Sequence, residues 1–97
     1  MAEHLTLTMP ADCTLRTAQA LQDDVLAAIE GGSRLVLDCA AIERTDITFV
    51  QLVAAAARTA GRRGLTLDLT NLPDPVVTAF RRAGIAPHAP FDAAPAL

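Results

Sequence analysis

The sequence predicts one small α/β domain: a mixed four- to five-stranded sheet with about three helices packed on it. Three observations predict it. Short apolar or alternating runs at 4–9, 34–39 and 65–69 take turns with segments whose apolar residues recur at helical spacing, 15–30, 47–60 and 75–83. Glycine or proline stands at nearly every border between them. The 97 residues show no internal repeat and suffice for a single core of modest stability.

In chain order, His4–Met9 alternates weakly, with Leu5, Leu7 and Met9 opposite Thr6 and Thr8, as a strand with one wet face near a sheet edge does. Pro10 ends it, and a further short strand is expected near Asp12–Thr14. Thr14 is placed to cap a helix over Leu15–Glu30, whose stripe is Leu15, Ala18, Leu21, Val25 and Ile29. Gly31-Gly32 stops it. Arg34–Cys39 carries the continuous run Leu35-Val36-Leu37, which suits a central strand. A polar connector leads to a second helix, Ile47–Ala60. Phe49, Leu52, Val53, Ala56 and Ala60 are expected inward, and Gln51, Ala55, Arg58 and Arg62 outward. Gly61–Gly64 breaks that helix, and Leu65–Leu69 alternates as a strand. Asp74-Pro75 reads as an N-cap and first turn of a helix anchored by Val76, Val77 and Phe80. Gly84 ends it at Ala83, with Ile85 packing back on the last turn. The ordered part is expected over about 4–86, and 87–97 as an irregular Pro/Ala-rich tail.

Composition excludes several function classes. Net charge is −3, and all eight positive residues are Arg. Arg62-Arg63 and Arg81-Arg82 are isolated pairs without aromatic platforms, so no nucleic-acid partner is expected. No apolar run approaches the ~20 residues of a membrane span, so no direct membrane insertion is expected. Met1-Ala2-Glu3-His4 has no basic region or apolar segment after it, so no signal peptide is expected and the location read is cytoplasmic. Cys13 and Cys39 form neither a CxxC pair nor a metal spacing. Cys39 reads as a small apolar strand-end residue and Cys13 as an incidental loop thiol. His4 and His88 stand at opposite ends and are too few to hold a metal. No nucleophile motif, P-loop or dinucleotide fingerprint is present, so neither catalysis nor a cofactor is expected.

The specialised stretch is 35–62. A buried strand delivers Thr45-Asp46-Ile47-Thr48 to the first turn of a helix, where free backbone N–H groups favour negative charge. Asp46 reads either as a recognition residue or as the helix cap, and the roles are compatible. Thr48 reads as a phosphate acceptor or as a hydroxyl satisfying a nearby backbone group. Phe49 reads as a core anchor by its spacing, with partner contact as the alternative. Ala54, Ala55 and Arg58 are expected on the outward face, where small residues let a partner approach closely. Helix propensity alone accounts equally well for the alanines.

Leu35-Val36-Leu37-Asp38-Cys39 followed by Thr45-Asp46-Ile47-Thr48-Phe49-Val50-Gln51-Leu52 resembles the STAS domain, the family of bacterial anti-sigma-factor antagonists. The likeness spans about Leu5–Ile85 and includes Gly64-Leu65-Thr66-Leu67 and Pro75…Phe80…Gly84-Ile85. It implies a non-enzymatic regulatory module whose partner kinase phosphorylates the Ser or Thr after the Asp, adding close to two negative charges. Here that acceptor position falls on Ile47, which has no hydroxyl. Either Thr48 takes the role with a shifted cap, or this chain is not phosphoregulated. The shift of one residue turns the acceptor roughly 100° around a helix, which favours the second. Asp-x-Thr-Phe-Val-Gln-Leu is also similar to chemotaxis-associated members. The resemblance thus implies docking on a sensor kinase, of the anti-sigma or the chemotaxis histidine kinase type. The expected contact residues are Arg44, Thr45, Asp46, Ile47, Thr48, Gln51, Ala55 and Arg58. The alternative it implies is an accessory subunit bound to the ABC ATPase of a lipid-transport importer.

Overall fold

A computed structural model of the chain describes residues 4–89 and 91. The expectation resting on the first three residues, and most of that for the tail beyond 89, lie outside the described residues. The elements in order are β1 (His4–Thr8), β2 (Asp12–Cys13), α1 (Ala18–Glu30), β3 (Arg34–Asp38), β4 (Arg44–Thr45), α2 (Ile47–Arg62), β5 (Leu67–Thr70) and α3 (Asp74–Ala83). The fold class is the expected one: five strands and three helices around one apolar core.

The strands differ from a mixed single sheet in two ways. They form a three-stranded sheet, β1-β3-β5, and a two-stranded one, β2-β4, and every pair is parallel. Within the main sheet each strand is reached through a helical crossover, so all run one way. The split has a local cause. Pro10 has no N–H to donate, so the β1–β3 pairing cannot continue through it. Met9 N–H still reaches Asp38 O at 2.9 Å. Both chains then bend, and pairing resumes with the partner offset raised from 30 (His4 with Arg34) to 32 (Asp12 with Arg44). Glu43 and Arg44 N–H both donate to Ala11 O, at 2.8 and 2.9 Å, and lock the new register.

β3 is central, as its unbroken apolar run predicts, with Leu35 and Leu37 buried. β1 lies at an edge, and Leu5 on it is exposed. At the far end of β3, the Asp38 carboxylate accepts from Ala40 N–H at 3.0 Å and Asn71 Nδ2 at 3.1 Å, and these bonds hold its pKa below the usual carboxylate value.

Helix borders shift where backbone hydrogen bonds find other partners. α1 starts at Ala18, not Leu15. Thr14 closes a turn instead of capping a helix: Thr17 N–H donates to Thr14 O at 3.0 Å, and Thr14 N–H donates to Thr17 Oγ1 at 3.2 Å. Leu15 is therefore outside the stripe and 72 % exposed. α2 runs through Gly61 to Arg62 and ends in a Schellman motif. Leu65 N–H donates to Ala60 O and Gly64 N–H to Gly61 O, with Gly64 at φ 71°, where a side chain would be strained. Gly32 and Gly84 close the other two helices with the same pattern. Leu65, held by that motif, is not part of β5. Pro73 takes the N-cap place of α3, so Asp74 falls in its first turn rather than at the cap.

The core is built from Val25, Ile29, Leu35, Leu37, Phe49, Val50, Val53, Val76 and Phe80. α2 contacts α1, α3 and β5, so more of its circumference is covered than a single stripe requires. Val50 and Ala54 are buried along with Phe49, Val53, Ala56 and Ala60, which corrects the outward placement of Ala54. Phe91 is buried too, with its ring 6.1 Å from that of Phe80. Among the described residues no helix is long and apolar enough to cross a membrane.

Both cysteines are buried, so Cys13 is a core residue and not an incidental loop thiol. Burial pushes the thiol of Cys13 up to about 11, with help from nearby Asp12, and that of Cys39 up to about 12. Neither is a thiolate at neutral pH. Alkylation of the native protein at pH 8 is expected to run roughly 100-fold slower at Cys13, and slower still at Cys39, than in the urea-unfolded chain, because the thiolate is the reacting species. Equal rates would show that the core around β2 opens freely.

Candidate functional site

The β2–β4 pair positions the site. By placing Cys13 beside Thr45, it brings the turn after β2 against the first residues of α2. Asp46 sits there in extended conformation (φ −146°, ψ −174°) as the N-cap. Its carboxylate has two partners. Oδ1 accepts from Thr48 N–H at 2.9 Å, and Oδ2 accepts from Leu15 N–H at 3.1 Å, 31 residues away in sequence. The first bond satisfies an otherwise free amide of α2, and a negative charge at this end also meets the favourable end of the helix dipole. The second ties a different loop to the helix start.

The residues around Asp46 fall into distinct surroundings. Ile47 is 52 % exposed although it opens the helix. Thr45 is half-buried, and its Oγ1 is buried without a hydrogen-bond partner among the described residues. Thr48 is half-buried and lines a groove of about 380 Å³ between α1 and α2, with Gln22, Leu26, Gln51, Leu52 and Ala55. Thr45, Asp46 and Ile47 line a second hollow of about 590 Å³ on the other side, with Asp74, Thr78 and Arg82 of α3. Consecutive residues 47 and 48 thus face different depressions, and the start of α2 stands as a ridge between them. Gln51, Ala55 and Arg58 are exposed along α2, at spacings of four and three that keep them on one side of the helix. Arg44 is exposed on β4; it and Arg58 line neither depression. Phe49 is buried in the core, as its spacing indicates.

Sequence reasoning missed Leu15 as a part of this region, along with Thr78 and Arg82 of α3. For Leu15 a signal was present: Asp12, Thr14 and Thr17 are turn-forming residues clustered just ahead of α1. Thr14 Oγ1 donates to Asp12 Oδ1 at 2.6 Å, and Thr17 Oγ1 donates to Asp12 O at 3.0 Å.

Among the described residues no three His, Cys, Asp or Glu side chains stand close enough to hold a metal ion. The only two thiols are buried and protonated at neutral pH. What the surface presents is a capped helix start, an exposed aliphatic residue on it, and a row of exposed residues along the helix.

A family model described as "Mlab, STAS domain" matches residues 2–87. No curated protein matches the chain.

Proposed function

This chain belongs to the STAS domain family, and we propose that it docks on a sensor kinase, of the anti-sigma or chemotaxis histidine kinase type, through 44–48 and the outer side of α2. STAS domains are generally non-catalytic regulatory modules that mediate protein–protein interactions. The observation that carries the reading is the exposed row Ile47, Gln51, Ala55 and Arg58 leading away from the Asp46 cap. Ala55 lets a partner backbone come close, and Arg58 supplies a charged anchor beside it. Arg44, exposed on β4 two residues before the cap, is included in the proposed contact for its charge.

Regulation in this reading is by occupancy, not by phosphate on this chain. Ile47 holds the family's acceptor position without a hydroxyl. Thr48 lies partly within the groove, and the Thr45 hydroxyl is buried, so both are poorly presented to a kinase. The signal then resides in the partner or in its expression.

Affinity purification from native lysate, followed by titration with the purified partner, tests this. A histidine kinase is expected to bind, and Ala55→Arg is expected to weaken it by about tenfold or more, since an interfacial clash of this kind costs over 1.4 kcal/mol. The same kinase with ATP is expected to leave Thr48 unmodified by mass spectrometry. An ABC ATPase in the kinase's place would transfer the reading to the accessory-subunit role. Binding indifferent to both Ala55→Arg and Arg58→Glu would remove α2 from the interface.

A further inference from the structure

We infer that the chain pairs weakly with a second copy of itself along the free edge of β1, joining the two three-stranded sheets antiparallel through a two-fold axis at Thr6. The docking reading above does not enter this inference, which concerns a different strand.

Among the described residues β1 has one neighbour, β3. In a parallel pair, alternate residues turn their backbone groups toward the partner strand. Met9 N–H donates to Asp38 O at 2.9 Å, so Leu5 and Leu7 share its direction. The N–H and C=O groups of His4, Thr6 and Thr8 therefore face the open edge, and all three residues are exposed. Such a row is a template for another strand. The features that ordinarily protect an edge are missing from it: His4–Thr8 is a regular five-residue strand with no Lys, Arg, Asp, Glu or Pro.

The residue order of the strand selects the occupant, because it is complementary to itself. Antiparallel pairing about Thr6 sets Thr6 opposite Thr6 and His4 opposite Thr8, and each of these pairs exchanges two backbone hydrogen bonds. Leu5 then stands opposite Leu7 of the second copy, on the core side of the sheet. Leu7 already packs on the core, whereas Leu5 is 40 % exposed, so the pairing covers the one large apolar side chain that β1 leaves in water. No like charges meet. The other edge of the sheet fails the same test. Leu35 and Cys39 N–H donate to Thr66 O and Thr70 O, which leaves Leu67 and Leu69 facing outward. The symmetric register that uses the whole of β5 puts Asp68 directly against Asp68, which is destabilising. The chain's own last residues are a poor substitute for a second copy: Asp92-Ala93-Ala94-Pro95-Ala96-Leu97 has no β-branched or aromatic residue, and Pro95 has no N–H. Two strands of this length bury less than the roughly 800 Å² per partner of a standard interface, so the dissociation constant is expected at about 0.1–1 mM.

Sedimentation equilibrium of the full chain from about 10 μM to about 1 mM is expected to show monomer giving way to dimer. Over the same series, nuclear magnetic resonance is expected to show the Thr6 amide proton gaining protection from exchange, while that of Leu7, turned toward β3, does not change. Thr6→Lys and Thr6→Glu each place like charges at the axis and are each expected to weaken self-association about fivefold or more. Thr6 is exposed, so both variants are expected to keep the wild-type melting temperature. An equimolar mixture of the two is expected to associate again, because a two-fold at residue 6 sets the opposite charges against each other. Thr66→Lys, exposed but away from this edge, is expected to stay within about twofold of the wild type. A wild-type monomer at about 1 mM overturns the inference and leaves the docking reading standing. Dimers that persist in both Thr6 variants, or a mixture that associates no better than either variant alone, overturn the pairing through β1. A Thr6 amide already protected at about 10 μM overturns it in favour of an edge covered within one chain. Protection that arises only when the docked kinase is added overturns it in favour of a strand from that partner.

Discussion

Phe49→Ala is expected to destabilise the fold by about 3–5 kcal/mol, the range for truncating a buried aromatic residue. Phe49 is 2 % exposed and lies on the helix that touches α1, α3 and β5. A void there removes packing from several elements at once, and a tightly packed core is expected to close over it only in part. A domain of this size has a total stability near the lower end of about 5–15 kcal/mol, so the variant is expected to be largely unfolded in mild denaturant. Urea unfolding followed by circular dichroism measures this directly. Ile47→Ala is the internal contrast, because two residues earlier on the same helix the side chain is in water, and its removal is expected to change stability by less than about 0.5 kcal/mol. Similar losses in both variants would mean that α2 is not seated as described.

Much of this was legible from residue order. The unbroken Leu35-Val36-Leu37 run placed β3 at the centre, and the spacing of Leu21, Val25 and Ile29 placed the buried side of α1. Those signals are strong because they repeat along an element. The β2–β4 pair was not legible as a pair: two residues per strand carry no period, and its cause is the missing N–H of Pro10 acting on a neighbouring chain segment. Leu15 misled because it stands three residues before Ala18, a helical spacing, although its amide is claimed by Asp46 and not by a helix. Ala54 was placed wrongly for a different reason. A methyl group carries little information about which way a helix faces, and α2 is covered from more than one direction. In the candidate site, the strand-to-helix run Thr45-Asp46-Ile47-Thr48 was readable because it is contiguous. Its link to a loop 31 residues away depends on the folded chain.

Asp46 caps α2 and holds the Leu15 amide, and Asp46→Ala is expected to lower stability by about 1–2 kcal/mol, the upper range for loss of an N-cap acceptor. The Leu15 amide loses its partner at the same time, but it lies at the surface, where water replaces the carboxylate at little cost. The two roles separate in Asp46→Asn. Asparagine caps helices about as well as aspartate, yet it has one acceptor oxygen where the carboxylate has two. It can serve Thr48 N–H or Leu15 N–H, and the helix cap, with its shorter local reach, is expected to win. Asp46→Asn should therefore keep near-native stability, exchange the Leu15 amide proton faster with solvent, and bind the partner more weakly than its stability implies. Hydrogen exchange by nuclear magnetic resonance reads the Leu15 amide alone. If that proton exchanges equally fast in wild type and Asp46→Asn, the carboxylate does not hold the loop. If Asp46→Ala is as stable as wild type, it does not hold the helix either, and the stability of the helix start would have to come from packing alone.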